Sequence, residues 1–223
     1  MCLRKFNMKC ERYYLAVFFV LTGVCLISLL GCASDVLTDR SGFSSKDHYN
    51  FGLNWLDSNK IQNAEKSFLN AIELDKEFGD AYIQLGLVYY VLYEREANIN
   101  ISRDNVSKYY NQSYNCFQSG MKYSPENPLG YAGMARLQII NRQVDGAIAN
   151  LLKARDLTKP DDISTDIIIY YELGNCYLAQ GKYQQAIAEY ENYLQLVPMG
   201  AEYENVENLI KELEAQIEEK QSR

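Results

Sequence analysis

One pattern recurs four times along this chain and limits what it can fold into. Its clearest copies are Tyr82, Leu85, Gly86, Tyr89 and Tyr170, Leu173, Gly174, Tyr177, Ala186, Tyr190, Pro198. Gly86 repeats the place of Gly52 one period earlier in the chain. Self-similarity at such a period marks a repeat architecture, in which a unit covers its apolar face only against its neighbours. Within each copy apolar side chains recur at steps of three and four, the spacing of one face of an α-helix. A glycine in mid-helix costs about 1 kcal/mol relative to alanine. Its return at one register position, as Gly52, Gly86 and Gly174, therefore implies that a neighbouring helix comes close there.

The four copies resemble tetratricopeptide repeats, units of two antiparallel helices with a period of about 34 residues. The spacing of Gly52 and Gly86 matches that period. The first copy, 45–78, carries Phe51, Gly52, Trp55, Ala64, Phe68, Ala71 and Leu74. The second, 79–127, matches in its second half through Phe117, Gly120 and Pro125 if the segment near 93–108 is an insertion. Both helices of that copy are then expected to run about two turns longer, with a break at 98–101 and Ser102 capping the second. The third, 128–166, matches at Tyr131, Ala135, Ala147, Leu151 and Ala154, and the fourth, 167–200, adds the turn Gly181-Lys182-Tyr183. A connection at 160–165 separates the last two. Residues 201–223 give a narrow apolar stripe through Tyr203, Val206, Leu209, Ile210, Leu213 and Ile217 with a charged opposite face. This suits a capping helix and polar tail, which a solenoid end needs for solubility; a coiled-coil dimerisation helix is the alternative. The resemblance implies an all-α, right-handed superhelical solenoid of about four helix pairs plus that cap.

The start of the chain reads differently. Residues 1–14 carry Arg4, Lys5, Lys9 and Arg12 against Glu11, and residues 15–30 hold no charge. Such a run is shorter than the roughly 20 residues of a permanent membrane-spanning helix. It fits the core of a signal peptide whose basic end stays in the cytoplasm. Met8 is an alternative start. The run stops at Leu29-Leu30-Gly31-Cys32, which resembles the lipobox of bacterial lipoproteins. That resemblance implies removal of residues 1–31, a diacylglycerol on the Cys32 sulfur, and 32–44 as an acylated tether. A plain membrane anchor with a chance Gly-Cys is the other reading. Ala33 after the cysteine, by resemblance to enterobacterial sorting, implies the outer membrane, facing the periplasm.

Charge narrows the partners. The chain holds 22 basic and 29 acidic residues. The first 31 contain four and one of these, so the rest has 18 and 28, a net charge of −10. Phosphate binding needs clustered Lys and Arg, so no nucleic-acid partner is expected. Anionic lipid would repel such a chain, leaving the N-terminal lipid as its contact with the membrane. Of the cysteines beyond Cys32 only Cys116 and Cys176 remain, expected as reduced, buried small apolar groups. His48 is the one histidine, which excludes a multi-histidine zinc site. No phosphate loop or nucleophile elbow is present. No metal, cofactor or catalytic residue is expected, and the chain reads as no enzyme.

In tetratricopeptide domains the first helices line a concave face. Carried over, the partner-binding groove comprises Tyr49 and Leu53 (with Leu56), Ile83, Leu87 and Tyr90 (with Val91), Arg136 and Ile139 (with Ala132), and Tyr171, Asn175 and Leu178. Tyr49 and Leu53 stand where chaperone-binding members place a carboxylate-clamping Lys and Asn, so that ligand class is not expected. An apolar, Tyr-rich groove suits a protein or peptide segment with hydrophobic anchors. The alternative is a groove filled by its own superhelix or tether. Two functions follow: a membrane-anchored interaction scaffold of the bacterial cell envelope, resembling lipoproteins that aid secretin or pilus assembly or recruit cell-wall hydrolases, or an accessory subunit of an envelope enzyme system.

Overall fold

The structure, a computed structural model, describes residues 42–99, 102–197 and 199–221. The leader, Cys32, most of the tether, residues 100–101 and Pro198 lie outside the described residues. Nine α-helices follow one another among the described residues: α1 Ser45–Asp57, α2 Ile61–Leu74, α3 Gly79–Ile99, α4 Arg103–Tyr123, α5 Pro128–Ile140, α6 Val144–Leu157, α7 Ile163–Ala179, α8 Tyr183–Leu196 and α9 Ala201–Gln221. The most extensive packing is within the pairs α1/α2, α3/α4, α5/α6 and α7/α8, and each pair then packs on the next. This is an all-α superhelical solenoid with α9 against α8 at its end.

The recurrent glycines explain the pairing. A Cβ on Gly52 would stand 2.4 Å from the Phe68 ring, and one on Gly174 would stand 2.4 Å from the Tyr190 ring. Each aromatic ring on a second helix thus lies on bare backbone of the first. The step from Gly52 to Phe68 equals that from Gly174 to Tyr190, whereas the step from Gly86 to Phe117 is nearly twice as long. The added length goes into α3 and α4, each 21 residues long against 13 and 14 for α1 and α2. Ser102 caps α4, its hydroxyl accepting from the Asn105 N–H at 3.3 Å. The buried Ser113 hydroxyl donates to the Gly86 carbonyl at 2.8 Å, fastening the long pair at its middle.

The turns within pairs repeat as well. Asn59, Arg142 and Gly181 take φ of 54°, 58° and 69° at equivalent positions. The next amide donates back to Trp55, Gln138 and Tyr177 at 2.8, 2.8 and 2.9 Å. This is the left-handed helix stop that satisfies otherwise orphaned carbonyls. Ser44 and Asp47 form a reciprocal capping box ahead of α1. Two boundaries correct the sequence reading: α3 runs through Ile99, two residues into the break expected at 98–101. The expected connection at 160–165 ends early, because α7 begins at Ile163. The Asp162 carboxylate accepts from the Thr165 N–H at 3.2 Å and from its hydroxyl at 2.7 Å. This cap supplies the first turn with its missing acceptor.

Cys116 and Cys176 are both buried free thiols. On α9, Val206, Ile210 and Leu213 are buried in one cluster with Ala186, Tyr190 and Tyr193 of α8. The stripe on α9 thus meets the last pair, and Lys220 lies 4.4 Å over the Tyr183 ring. Among the described residues no helix is long and apolar enough to cross a membrane.

Candidate functional site

The first helices α1, α3, α5 and α7 carry the ten residues expected in the groove, and the structure divides them. Ile83 is fully buried, which corrects its assignment to the groove. Its side chain presses on the bare backbone of Gly120 in α4 and Gly130 in α5, where added Cβ atoms would stand 2.4 and 3.3 Å away. Tyr90 is also corrected. At 9% exposure it belongs to a core cluster with Phe117, Met134 and Leu137, and Leu87 packs on that cluster half-buried. Ala132 is buried in the core of the third pair. Tyr49 rests on Phe68 and Phe78, with ring centroids 5.8 and 5.1 Å apart, and Leu53 joins the same cluster. Ile139 and Leu178 are half-buried edges of the third and fourth cores.

Arg136, Tyr171 and Asn175 form a connected surface. The Arg136 guanidinium lies 5.4 Å over the Tyr90 ring. Its Nε donates to Glu172 Oε1 at 2.9 Å. The second Glu172 oxygen accepts from Asn175 Nδ2 at 3.4 Å, and Asn175 Oδ1 accepts from the Tyr190 hydroxyl at 2.8 Å. One polar chain therefore crosses from the second pair to the fourth. It fixes the guanidinium between an aromatic face and a carboxylate, with the side chain still 28% exposed. Partial burial gives such a pair more weight than a surface ion pair, which contributes about 0–1 kcal/mol.

Beside Arg136 opens a cavity of about 310 Å³ lined by Ile167, Ile168, Tyr171, Tyr193, Asn205 and Val206. Tyr171 is 39% exposed and leans on Tyr193 and Tyr190, with centroids 5.3 and 6.2 Å apart. The cavity thus has apolar walls, one cation and an amide, the usual make-up of a site that takes a ligand by shape and few polar contacts. Sequence reasoning missed Glu172, Tyr190, Tyr193, Asn205 and Val206. Glu172 had a usable signal, since it follows Arg136 by close to one repeat. Asn205 and Val206 had none, because they come from α9, outside the repeat pattern.

Burial raises the hydroxyl pKa of Tyr90, helped by its hydrogen bond to Glu94, and raises that of Tyr190. Both stay neutral donors. Burial pushes the Cys116 and Cys176 thiols up to about 12, so neither is a thiolate at neutral pH. His48 lies at the far edge on α1, packed with Phe43 and Phe51. Among the described residues no three His, Cys, Asp or Glu side chains stand together as a metal site.

Comparison with known proteins matches residues 167–199 to the tetratricopeptide repeat family. No curated protein matches the chain. Among solved structures it is similar to a thermophilic tetratricopeptide-repeat protein of Thermus thermophilus, 16% identical, covering 93% of this chain and 95% of that one at a TM-score of 0.58. YrrB, described as a tetratricopeptide-repeat protein with an unusual peptide-binding site, is 18% identical over 78% of each chain at 0.51. The O-GlcNAc transferase of Thermobaculum terrenum is 14% identical at 0.54, covering 71% of this chain, which spans 27% of the enzyme.

Proposed function

We propose that this chain, a solenoid of tetratricopeptide-repeat fold, is a scaffold that holds a segment of a partner protein against α5, α7 and α9. The observation that carries this reading is the Arg136 cavity. Its guanidinium is fixed by Glu172 and Tyr90 yet still exposed, beside the open face of Tyr171. A rigid cation next to an aromatic platform costs little entropy on binding, and such residues dominate interface energetics. YrrB offers a precedent for peptide binding on this fold. The occupant that fits is a peptide with an apolar or aromatic anchor for the cavity and an acceptor for Arg136.

We further propose that the scaffold works in a bacterial envelope, held at the outer membrane by an acylated Cys32, and assists assembly of envelope machinery such as a secretin, a pilus or cell-wall enzymes. The motif Leu29-Leu30-Gly31-Cys32 at the end of the uncharged run 15–30 supports this. The test is to introduce a photo-crosslinking residue at Ile168 in membranes and to weigh the mature N-terminus by mass spectrometry. A crosslinked partner lost in Tyr171→Ala, together with an acylated Cys32, is the expected result. An intact leader removes the envelope anchor, and crosslinking indifferent to Tyr171 removes the cavity. A second reading, an accessory part of an enzyme system, draws on the likeness to an enzyme of which this chain spans 27%. It predicts that the crosslinked partner is itself an enzyme.

A further inference from the structure

The charges around Arg136 say what a partner segment carries, on the reading that the cavity beside it holds such a segment. The guanidinium is already matched. Its Nε donates to Glu172 Oε1 at 2.9 Å. A second carboxylate, that of Glu94, is hydrogen-bonded to the hydroxyl of Tyr90, and the guanidinium lies 5.4 Å over the Tyr90 ring. The cation therefore sits between two carboxylates. Among the described residues that line the cavity, Arg136 is the one with a charged side chain. Two lining residues follow an acid directly in the chain, Ile167 after Asp166 and Asn205 after Glu204. The surroundings of the cavity are thus acidic in sum, although its one charged lining residue is a cation.

An acid on the partner would meet this site in one of two ways. Sharing the guanidinium with Glu172 brings two carboxylates onto one cation, and like charges so close oppose each other. Displacing Glu172 leaves its side chain, 13% exposed, part-buried without its cation. Glu172 is also held in place. Its other oxygen accepts from Asn175 at 3.4 Å, and Asn175 accepts from the hydroxyl of the buried Tyr190 at 2.8 Å. An uncharged acceptor, such as a backbone carbonyl, meets neither cost. A base beside the anchor gains from the same carboxylates. We propose that Glu172 determines the specificity of the cavity. The cavity then takes a segment whose apolar or aromatic anchor is flanked by basic and uncharged residues, offers Arg136 to an uncharged acceptor, and rejects an acid at that place. Arg136 alone would mark a site for acids, and Glu172 reverses that preference.

The probe is a displayed library of random dodecapeptides, selected on the full chain in detergent. Peptides captured by the native chain and lost on Tyr171→Ala should be rich in Lys and Arg, and poor in Asp and Glu, beside an aromatic or large apolar residue. In one such peptide, synthesised alone, a Glu in place of an uncharged neighbour of the anchor should weaken binding to the native chain by about tenfold, as like charges across an interface do. The loss should be much smaller in Glu172→Gln. Glutamine keeps an oxygen for Arg136 and Asn175, and the ratio of the two peptide affinities cancels any general loss of binding. On the native chain the same ratio should narrow as salt is raised, a measurement that needs no variant. Tyr171-dependent capture of peptides with acids beside the anchor would overturn the proposal and leave the cavity in place. So would an affinity ratio unchanged by Glu172→Gln, or one indifferent to salt. Capture indifferent to Tyr171 would remove the cavity itself, and this specificity with it.

Discussion

Single residues hold this solenoid at points where helix ends would otherwise be unsatisfied. Asp162 is one. Its carboxylate accepts from the amide and the hydroxyl of Thr165, which is 2% exposed. Asp162→Ala removes the cap and leaves a buried hydroxyl without that acceptor. Losing an N-cap costs about 1 kcal/mol, to be read by chemical denaturation. The hydrogen bond from the Thr165 hydroxyl, above all, draws the Asp162 pKa below its ordinary 3.8. A depressed carboxylate pKa contributes stability that is complete above the unfolded value and lost as pH falls through the folded one. The native chain should therefore lose this contribution below about pH 4, while Asp162→Ala shows no corresponding loss. Equal stability of the two chains at pH 7 would remove the cap from the account.

Helices show how the elements depend on their neighbours. The 21 residues of α9 have a polar outer face and meet the last pair through Val206, Ile210 and Leu213. Leu213 is 2% exposed. Leu213→Ala should cost about 2–5 kcal/mol through lost burial and a residual cavity. In a solenoid each unit leans on the next, so the loss should appear first as hydrogen exchange in α8 and α9 and reach α1 least. Uniform loss of protection along the chain would contradict this reading. The long pair α3/α4 behaves as one element, with Ser113 bonded to Gly86 at its centre and Tyr89 stacked on Tyr109 further out, centroids 6.3 Å apart.

At the scale of the molecule, binding and folding share residues but separate cleanly at the Arg136 cavity. Tyr171 is 39% exposed, whereas Tyr190 is fully buried on Gly174. A Tyr171→Ala, Arg136→Ala double variant should lose partner crosslinking at Ile168 and melt only slightly below the native chain, through loss of the part-buried Arg136–Glu172 pair. The missing aromatic anchor should weaken binding by on the order of 2 kcal/mol, as for a hot spot. Tyr190→Ala should instead cost about 3–5 kcal/mol of stability, because a large aromatic leaves a cavity. Tyr90→Ala belongs with the second kind, since Tyr90 lies in the cluster of Phe117 and Leu137. A double variant that melts like Tyr190→Ala would make Tyr171 a core residue and remove the candidate site.

What the sequence determined by itself was the periodic part. The equal steps from Gly52 to Phe68 and from Gly174 to Tyr190, nearly doubled between Gly86 and Phe117, already state which helices pair and which pair is long. That information is local, because a helix face follows from spacing alone. The tertiary structure decided which residues of the inner face remain a surface. Ile83 and Tyr90 have groove spacing but are buried, Ile83 because α4 and α5 close on it over the bare backbones of Gly120 and Gly130, and Tyr90 because it packs with Phe117, Met134 and Leu137. Arg136 has the same spacing and stays accessible, because Glu172 from the next pair turns it toward the cavity. Asn205 and Val206 enter the site only through the seat that α9 takes on α8. Spacing along one helix says where a side chain points. How near the next helix comes is set by contacts far apart in the chain, and that distance separates a core residue from a binding one.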